Sequence, residues 1–134
     1  MKAILYTDGG SRGNPGHSAI GTLLFDEGGK LLDFAAEYIG IMTNNQAEYK
    51  ALILGLELGI KHRVSEVVCY LDSELVVKQL NGLYKIKDEG IKTASAIIEK
   101  LKANYKTVEF FHVMREHNKF ADKLVNLTLD ARAS

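Results

Sequence analysis

Four acidic side chains stand where a folded chain tends to hold a side chain rigidly. They are Asp8 in Thr-Asp-Gly-Gly, Glu48 in Asn-Asn-Gln-Ala-Glu, Asp72 in Leu-Asp-Ser-Glu and Asp122 in Ala-Asp-Lys-Leu. Asp8 and Asp72 end apolar runs that read as strands. Glu48 and Asp122 fall in the first turn of runs that read as helices. Gathered at one point, four carboxylates repel and cannot all stay ionised without a partner. A hard divalent cation with oxygen ligands is the natural partner, and two such ions make a site for phosphodiester cleavage.

Each acid taken singly has a plainer explanation. Glu48 stands three residues after Asn45, so the two form a potential capping box. Asp72 can cap a helix starting at Ser73. Asp122 sits where a helix dipole favours an acid by about 0.3–1 kcal/mol. Asp8, before two glycines, fits a turn. Together they need a further explanation, because four element ends carry four acids. Capping does not exclude metal binding, since a helix end also holds a side chain firmly.

The elements that must position these acids follow from periodicity. Residues 2–7 are β-prone and stop before the breaker Gly13-Asn14-Pro15-Gly16. Residues 18–25 and 31–39 read as two more strands, joined by Glu27-Gly28-Gly29-Lys30. From 45 to 62 the period becomes helical, with Ala47, Ala51, Leu54 and Leu58 on one stripe and Leu52 and Leu56 widening it. Residues 67–71 form a short continuous apolar run like a central strand. Helices follow at 73–80, ended by Asn81-Gly82, and at 89–104, with Ile91, Ala94, Ile98 and Leu101 on its stripe. A fifth strand at 107–113 and a last helix at 118–131 complete the order β-β-β-α-β-α-α-β-α. The first three strands suggest an antiparallel meander. The last two each follow a helix and so lie parallel to a neighbour. The expected fold is α/β, a five-stranded mixed sheet flanked by helices. In such sheets, sites form at strand ends where the order switches.

Bulk properties set wider limits. A chain of 134 residues suits one domain, residues 1–134, with one sizeable core. Its formal net charge is zero, so total charge does not announce a nucleic-acid partner. Between Lys78 and Lys123, however, ten Lys/Arg face six Asp/Glu, a net +4. That mild excess also suits an ordinary solvated helix surface. Cys69 is the only cysteine and lies in an apolar run, so it reads as core and is consistent with a reduced, cytoplasmic setting. No secretory leader is expected, and the longest apolar stretch, 51–60, is too short to span a membrane.

The motifs together resemble type 1 ribonuclease H. The resemblance rests on Thr7-Asp8-Gly9-Gly10-Ser11 with Gly13-Asn14-Pro15-Gly16, then Thr43-Asn44-Asn45-Gln46-Ala47-Glu48, Asp72-Ser73, and Asn118-Lys119-Phe120-Ala121-Asp122. It covers nearly the whole chain in order and is similar to the compact archaeal and bacterial branch. It implies the ribonuclease H-like fold and an endonuclease that cuts the RNA strand of an RNA–DNA hybrid. Asp8, Glu48, Asp72 and Asp122 would then hold two Mg²⁺ ions, with Mn²⁺ able to substitute. One ion would activate water for in-line attack and the other would stabilise the leaving 3′ oxygen, giving a 5′-phosphate and a 3′-hydroxyl. By the same resemblance, Gly9, Gly10 and Ser11, with Glu48, would meet 2′-hydroxyls. Asn14, Thr43 and Asn44 would meet the DNA strand, and Asn45 and Gln46 belong to the same substrate-binding motif. The implied enzyme needs no membrane and nothing beyond a monomer.

Two departures from the family pattern stand out. The basic protrusion carried by some members is replaced by the short stretch Tyr84-Lys85-Ile86-Lys87-Asp88-Glu89. The loop before the last Asp has no glycine-flanked histidine, only Met114-Arg115-Glu116-His117-Asn118. Arg115 and His117 are therefore the candidates for an auxiliary role in leaving-group departure or product release. The competing functions are a nuclease with broader substrates, such as double-stranded RNA, and a catalytically dead hybrid-binding module. A pure binder has no use for anions facing phosphate, which disfavours the module.

Overall fold

The structure is a computed structural model, and it describes residues 1–133. Alternating apolar residues over the first part of the chain form β1 (Lys2–Arg12), β2 (Gly16–Asp26) and β3 (Leu31–Met42), an antiparallel meander. Gly13, at φ 94°, supplies the left-handed residue that the first turn needs. Helix α1 (Asn44–Lys61) then crosses to β4 (Glu66–Leu71), which runs parallel to β1. Helices α2 (Glu74–Leu80) and α3 (Glu89–Lys102) lead to β5 (Thr107–His112), parallel to β4. A short 3₁₀ turn, Arg115–His117, precedes α4 (Lys119–Ala133). The sheet order β3-β2-β1-β4-β5 is the expected mixed, five-stranded arrangement with helices on it.

The main core lies between the sheet and α1 and includes Leu5, Leu24, Tyr49, Leu52, Leu56, Cys69, Leu71 and Ile98. Cys69 is fully buried there, as its apolar run suggested. Helix α1 is sandwiched between sheet and α3, so its buried face is wider than one stripe and turned from the expected one. Leu52 and Leu56 are fully buried, whereas Leu54 and Leu58 are only partly so. Glu48 precedes Leu52 by one turn and therefore points toward the sheet with the core residues. The opposite sheet face carries α4. A Cβ added at Gly21 would lie 2.7 Å from Leu124 Cβ and 2.9 Å from the Ala121 carbonyl, so this glycine lets α4 sit directly on β2.

Three local expectations are corrected. First, Asp8 does not end its strand. Residues from Asp8 to Arg12 stay paired with β2, while the parallel pairing with β4 ends at Thr7–Leu71. Second, Glu48 is the fifth residue of α1 and belongs to no cap. Thr43 caps the helix, accepting from the Gln46 N–H at 3.2 Å, while Gln46 Oε1 accepts from the Thr43 N–H at 2.9 Å. Third, α2 is capped by Ser73, whose hydroxyl accepts from the Val76 N–H, so Asp72 is left free of that duty.

Candidate active site

The site lies where β1 and β4 part. Asp8 comes one residue after the last parallel pair on β1, and Asp72 one residue after it on β4. Register sets Asp8 opposite Gly21, the glycine under α4. Asp122, in the first turn of α4, is thereby brought to the same cleft. Glu48 arrives from α1. One carboxylate oxygen from each of Asp8, Glu48 and Asp72 lies within 4.8 Å of the others. Asp122 lines the cleft but stands outside this tight set of three.

The approach of α1 to β1 depends on Gly9. A Cβ there would collide with the Ala47 carbonyl and the Glu48 amide. Without it, the Gly9 N–H donates to Glu48 Oε1 at 2.5 Å. Glu48 is only 5% exposed, and its Oε2 has no hydrogen-bond partner among the described residues. A buried, unpartnered carboxylate oxygen is costly unless something outside the chain meets it.

Electrostatics point the same way. Burial, followed by the charges of Glu48 and Asp72, holds the Asp8 carboxyl far above the usual carboxylate range; Asp122 adds to this. Burial also raises Glu48, against the lowering effect of the neighbouring Asp8 carboxyl and of the Gly9 N–H. The pair thus retains a proton near neutrality when no cation is bound. All donors are oxygen, three of the four carboxylates converge, and one buried oxygen is orphaned. This set fits a hard divalent cation.

The cleft encloses about 430 Å³ and is also lined by Gly9, Gly10, Ser11, Arg12, Asn44, Asn45, Ser73 and Arg115. The Ser11 N–H donates to Asn44 Oδ1 at 2.9 Å, and the Asn44 N–H to Asn14 Oδ1 at 3.0 Å. These bonds tie the β1–β2 turn to the start of α1. Asn14, Thr43 and Gln46 do not line the cleft themselves, and the last two form the cap. Arg115 lines it, and its charge lowers the Glu48 pKa. His117 lies elsewhere, in a separate groove of about 300 Å³ beside Tyr6, Phe25 and Phe120.

Two contributors were given no role from sequence. Arg12 lines the cleft and pairs with Asp130 at 2.6 Å. Asn118, 2% exposed, donates to Asp72 Oδ2 at 3.0 Å. The available signal for Asn118 was its place one turn before Asp122. For Arg12 the sequence carries none, because its partner is 118 residues away.

Comparisons along the chain agree with this architecture. Residues 6–128 match the reverse transcriptase-like family. A bifunctional protein of Mycobacterium tuberculosis is 35% identical over 99% of this chain, which spans only 37% of that protein's length. The ribonuclease HI of Halobacterium salinarum is 38% identical over 93% of this chain and 63% of its own. The crystal structure of that organism's RNase H1 matches with a TM-score of 0.95 at 36% identity, covering 98% of this chain and 99% of the other. LC11-RNase H1, crystallised with an RNA/DNA hybrid, matches with a TM-score of 0.93 at 43% identity and the same coverage. Likeness in sequence and in fold, over nearly every residue, makes this chain a member of the type 1 ribonuclease H family, in its compact form.

Proposed function

We propose that this chain hydrolyses the RNA strand of RNA–DNA hybrids in a divalent-metal-dependent reaction that leaves 5′-phosphate and 3′-hydroxyl ends. One observation carries the reading: oxygens of Asp8, Glu48 and Asp72 gather within 4.8 Å in an open cleft at the strand ends. The hybrid bound by LC11-RNase H1 supports the choice of substrate.

Asp8, Glu48 and Asp72, with Asp122 from the same cleft, are the residues that would hold Mg²⁺ or Mn²⁺. Held there, two such ions would lower the pKa of an attacking water and offset the charge that builds on the phosphate. The chain supplies the rest. The Gly9 amide fixes Glu48 in one position. Gly9 and Gly10 carry no side chain, which suits close approach of a nucleic-acid backbone, and 2′-hydroxyls distinguish the RNA strand from DNA. We assign Ser11 to this strand as well. We assign Asn14, Asn44 and Asn45 to the DNA strand beside the start of α1, where helix N-termini favour phosphate. Thr43 and Gln46 act there through the cap they form. Arg115 makes no ion pair among the described residues and is the auxiliary cation of this reading. The acting unit of this reading is a monomer.

The test uses labelled RNA–DNA hybrid, double-stranded RNA and double-stranded DNA, each with Mg²⁺, Mn²⁺ or EDTA. Cleavage of RNA in the hybrid alone, abolished by EDTA, is the expected result. Cutting that persists in EDTA removes the metal mechanism. Cleavage of double-stranded RNA at a similar rate replaces hybrid specificity with a broader nuclease, and binding without cutting replaces the enzyme with a hybrid-binding module.

A further inference from the structure

Beyond the last residues in parallel register, Thr7 and Leu71, the two central strands separate. The Leu71 carbonyl is still met there by the Val113 N–H at 2.9 Å. The Thr7 carbonyl is met by a side chain instead. Asn118 Nδ2 donates to Thr7 O at 2.8 Å and to Asp72 Oδ2 at 3.0 Å. A primary amide nitrogen carries two N–H groups, so both are used. Asn118 Oδ1 is buried with no partner among the described residues. Turning the amide over would set its oxygen against two acceptors. The fold thus retains an unpartnered oxygen in order to present two donors, and the contacts fix which way the amide faces.

The backbone of the same residue is also held. Its N–H donates to the Arg115 carbonyl at 2.9 Å, and its carbonyl accepts from the Asp122 N–H at 3.1 Å. One buried side chain and its backbone therefore touch Asp72 directly, the residue before Asp8, and the amide of Asp122.

We infer that Asn118 is a positioning residue for the cation site: it restrains the Asp72 carboxylate and fixes the first turn of α4 from which Asp122 projects. The inference rests on the metal-dependent reading above. Asn118 itself transfers no proton and meets no substrate. Groups that orient a metal ligand from behind typically contribute 10–100-fold in metal affinity.

The test titrates Mg²⁺ calorimetrically into the substrate-free protein and its Asn118→Ala variant. The dissociation constant should rise by about tenfold or more. At fixed, sub-saturating Mg²⁺, kcat should fall and be partly restored by more Mg²⁺, with KM for the hybrid within about twofold. A core change away from the cleft, Ile98→Val, should lower Tm and leave the Mg²⁺ constant alone. A folded Asn118→Ala variant that binds Mg²⁺ as the unaltered protein does overturns the inference.

Should that variant not fold, the contact is read in the unaltered Asn118 background by the NMR signals of its side-chain amide. Two slowly exchanging protons are expected, and Asp72→Ala should shift one of them and spare the other. A pair indifferent to Asp72→Ala overturns the inference. Absence of Mg²⁺ binding in the unaltered protein overturns both this role and the metal reading. Intact Mg²⁺ binding without hybrid cleavage overturns the substrate assignment and leaves the role of Asn118 standing.

Discussion

At the scale of single residues, the cleft is built of groups that oppose one another until a cation enters. Asp8 is 7% exposed and Glu48 is 5% exposed, and both carboxyls are raised, first by burial. Asp8→Asn keeps shape and removes one charge. Hybrid cleavage should fall roughly 100-fold or more, since each factor of ten costs about 1.4 kcal/mol of transition-state stabilisation. Metal-free stability should instead rise, by about 1 kcal/mol, or roughly 3 °C in Tm for a chain of this size. Near-normal turnover in Asp8→Asn would falsify its assignment. Arg115 and His117 separate by location: only the arginine lines the acidic cleft. Arg115→Ala should slow turnover by about tenfold, the loss of one charge-assisted contact, with His117→Ala close to the unaltered rate. Unchanged rates in both variants remove the auxiliary role.

At the scale of elements, the site depends on how near α1 and α4 come to the strands beneath them. Gly9 admits α1, and Gly21 admits α4. Gly9→Ala forces a methyl against the Ala47 carbonyl, and overpacking of this kind costs about 1–3 kcal/mol. Because Glu48 hangs on the same turn and bonds the Gly9 amide, Mg²⁺ affinity should fall along with Tm. Calorimetry and thermal melts check this together; a variant unchanged in both would mean that α1 has room to spare. The helical and strand periods were readable in sequence, as was the Gly13 turn. The cap of α1 was not. Asn45 with Glu48 and Thr43 with Gln46 have the same three-residue spacing, and only the backbone path from β3 decides that Thr43 is the cap.

At the scale of the whole molecule, charge ties stability to pH and to metal. A carboxyl whose folded-state pKa is raised contributes stability that is full below its unfolded pKa, about 4, and is lost as pH rises through the folded value. Asp8 and Glu48 both follow this sign. Metal-free protein should therefore lose Tm from about pH 4 toward neutrality, Mg²⁺ should restore it, and Asp8→Asn should flatten the slope. Asp33 has the opposite sign, since its hydrogen bond from His62 at 2.8 Å lowers its pKa and its contribution is lost in acid. Thermal melts across pH, with Mg²⁺ or EDTA, separate the two trends. The short segment between α2 and α3 exposes Lys85 and Lys87 and little else that is basic. Hybrid binding should fall as salt rises from roughly 50 to 200 mM, with a slope set by the number of phosphates neutralised, and so few solvated lysines make that slope modest. A binding curve flat across that range would contradict this.

What the sequence determined by itself was the set of parts. Local physics lies in nearest neighbours along the chain, so the period of apolar residues gave the element order, and the crossover rule gave the parallel strands. The four acids were visible because each interrupts an otherwise apolar or capping pattern. Their meeting was decided by tertiary structure alone, through register and close packing between segments far apart in the chain. Pairing of Asp8 with Gly21 sets Asp8 under α4, the wide buried face of α1 turns Glu48 toward the sheet, and Asn118 fills the gap where β1 and β4 part. None of these relations has a local signature, because each is a contact between distant segments whose energy exists only once both are folded.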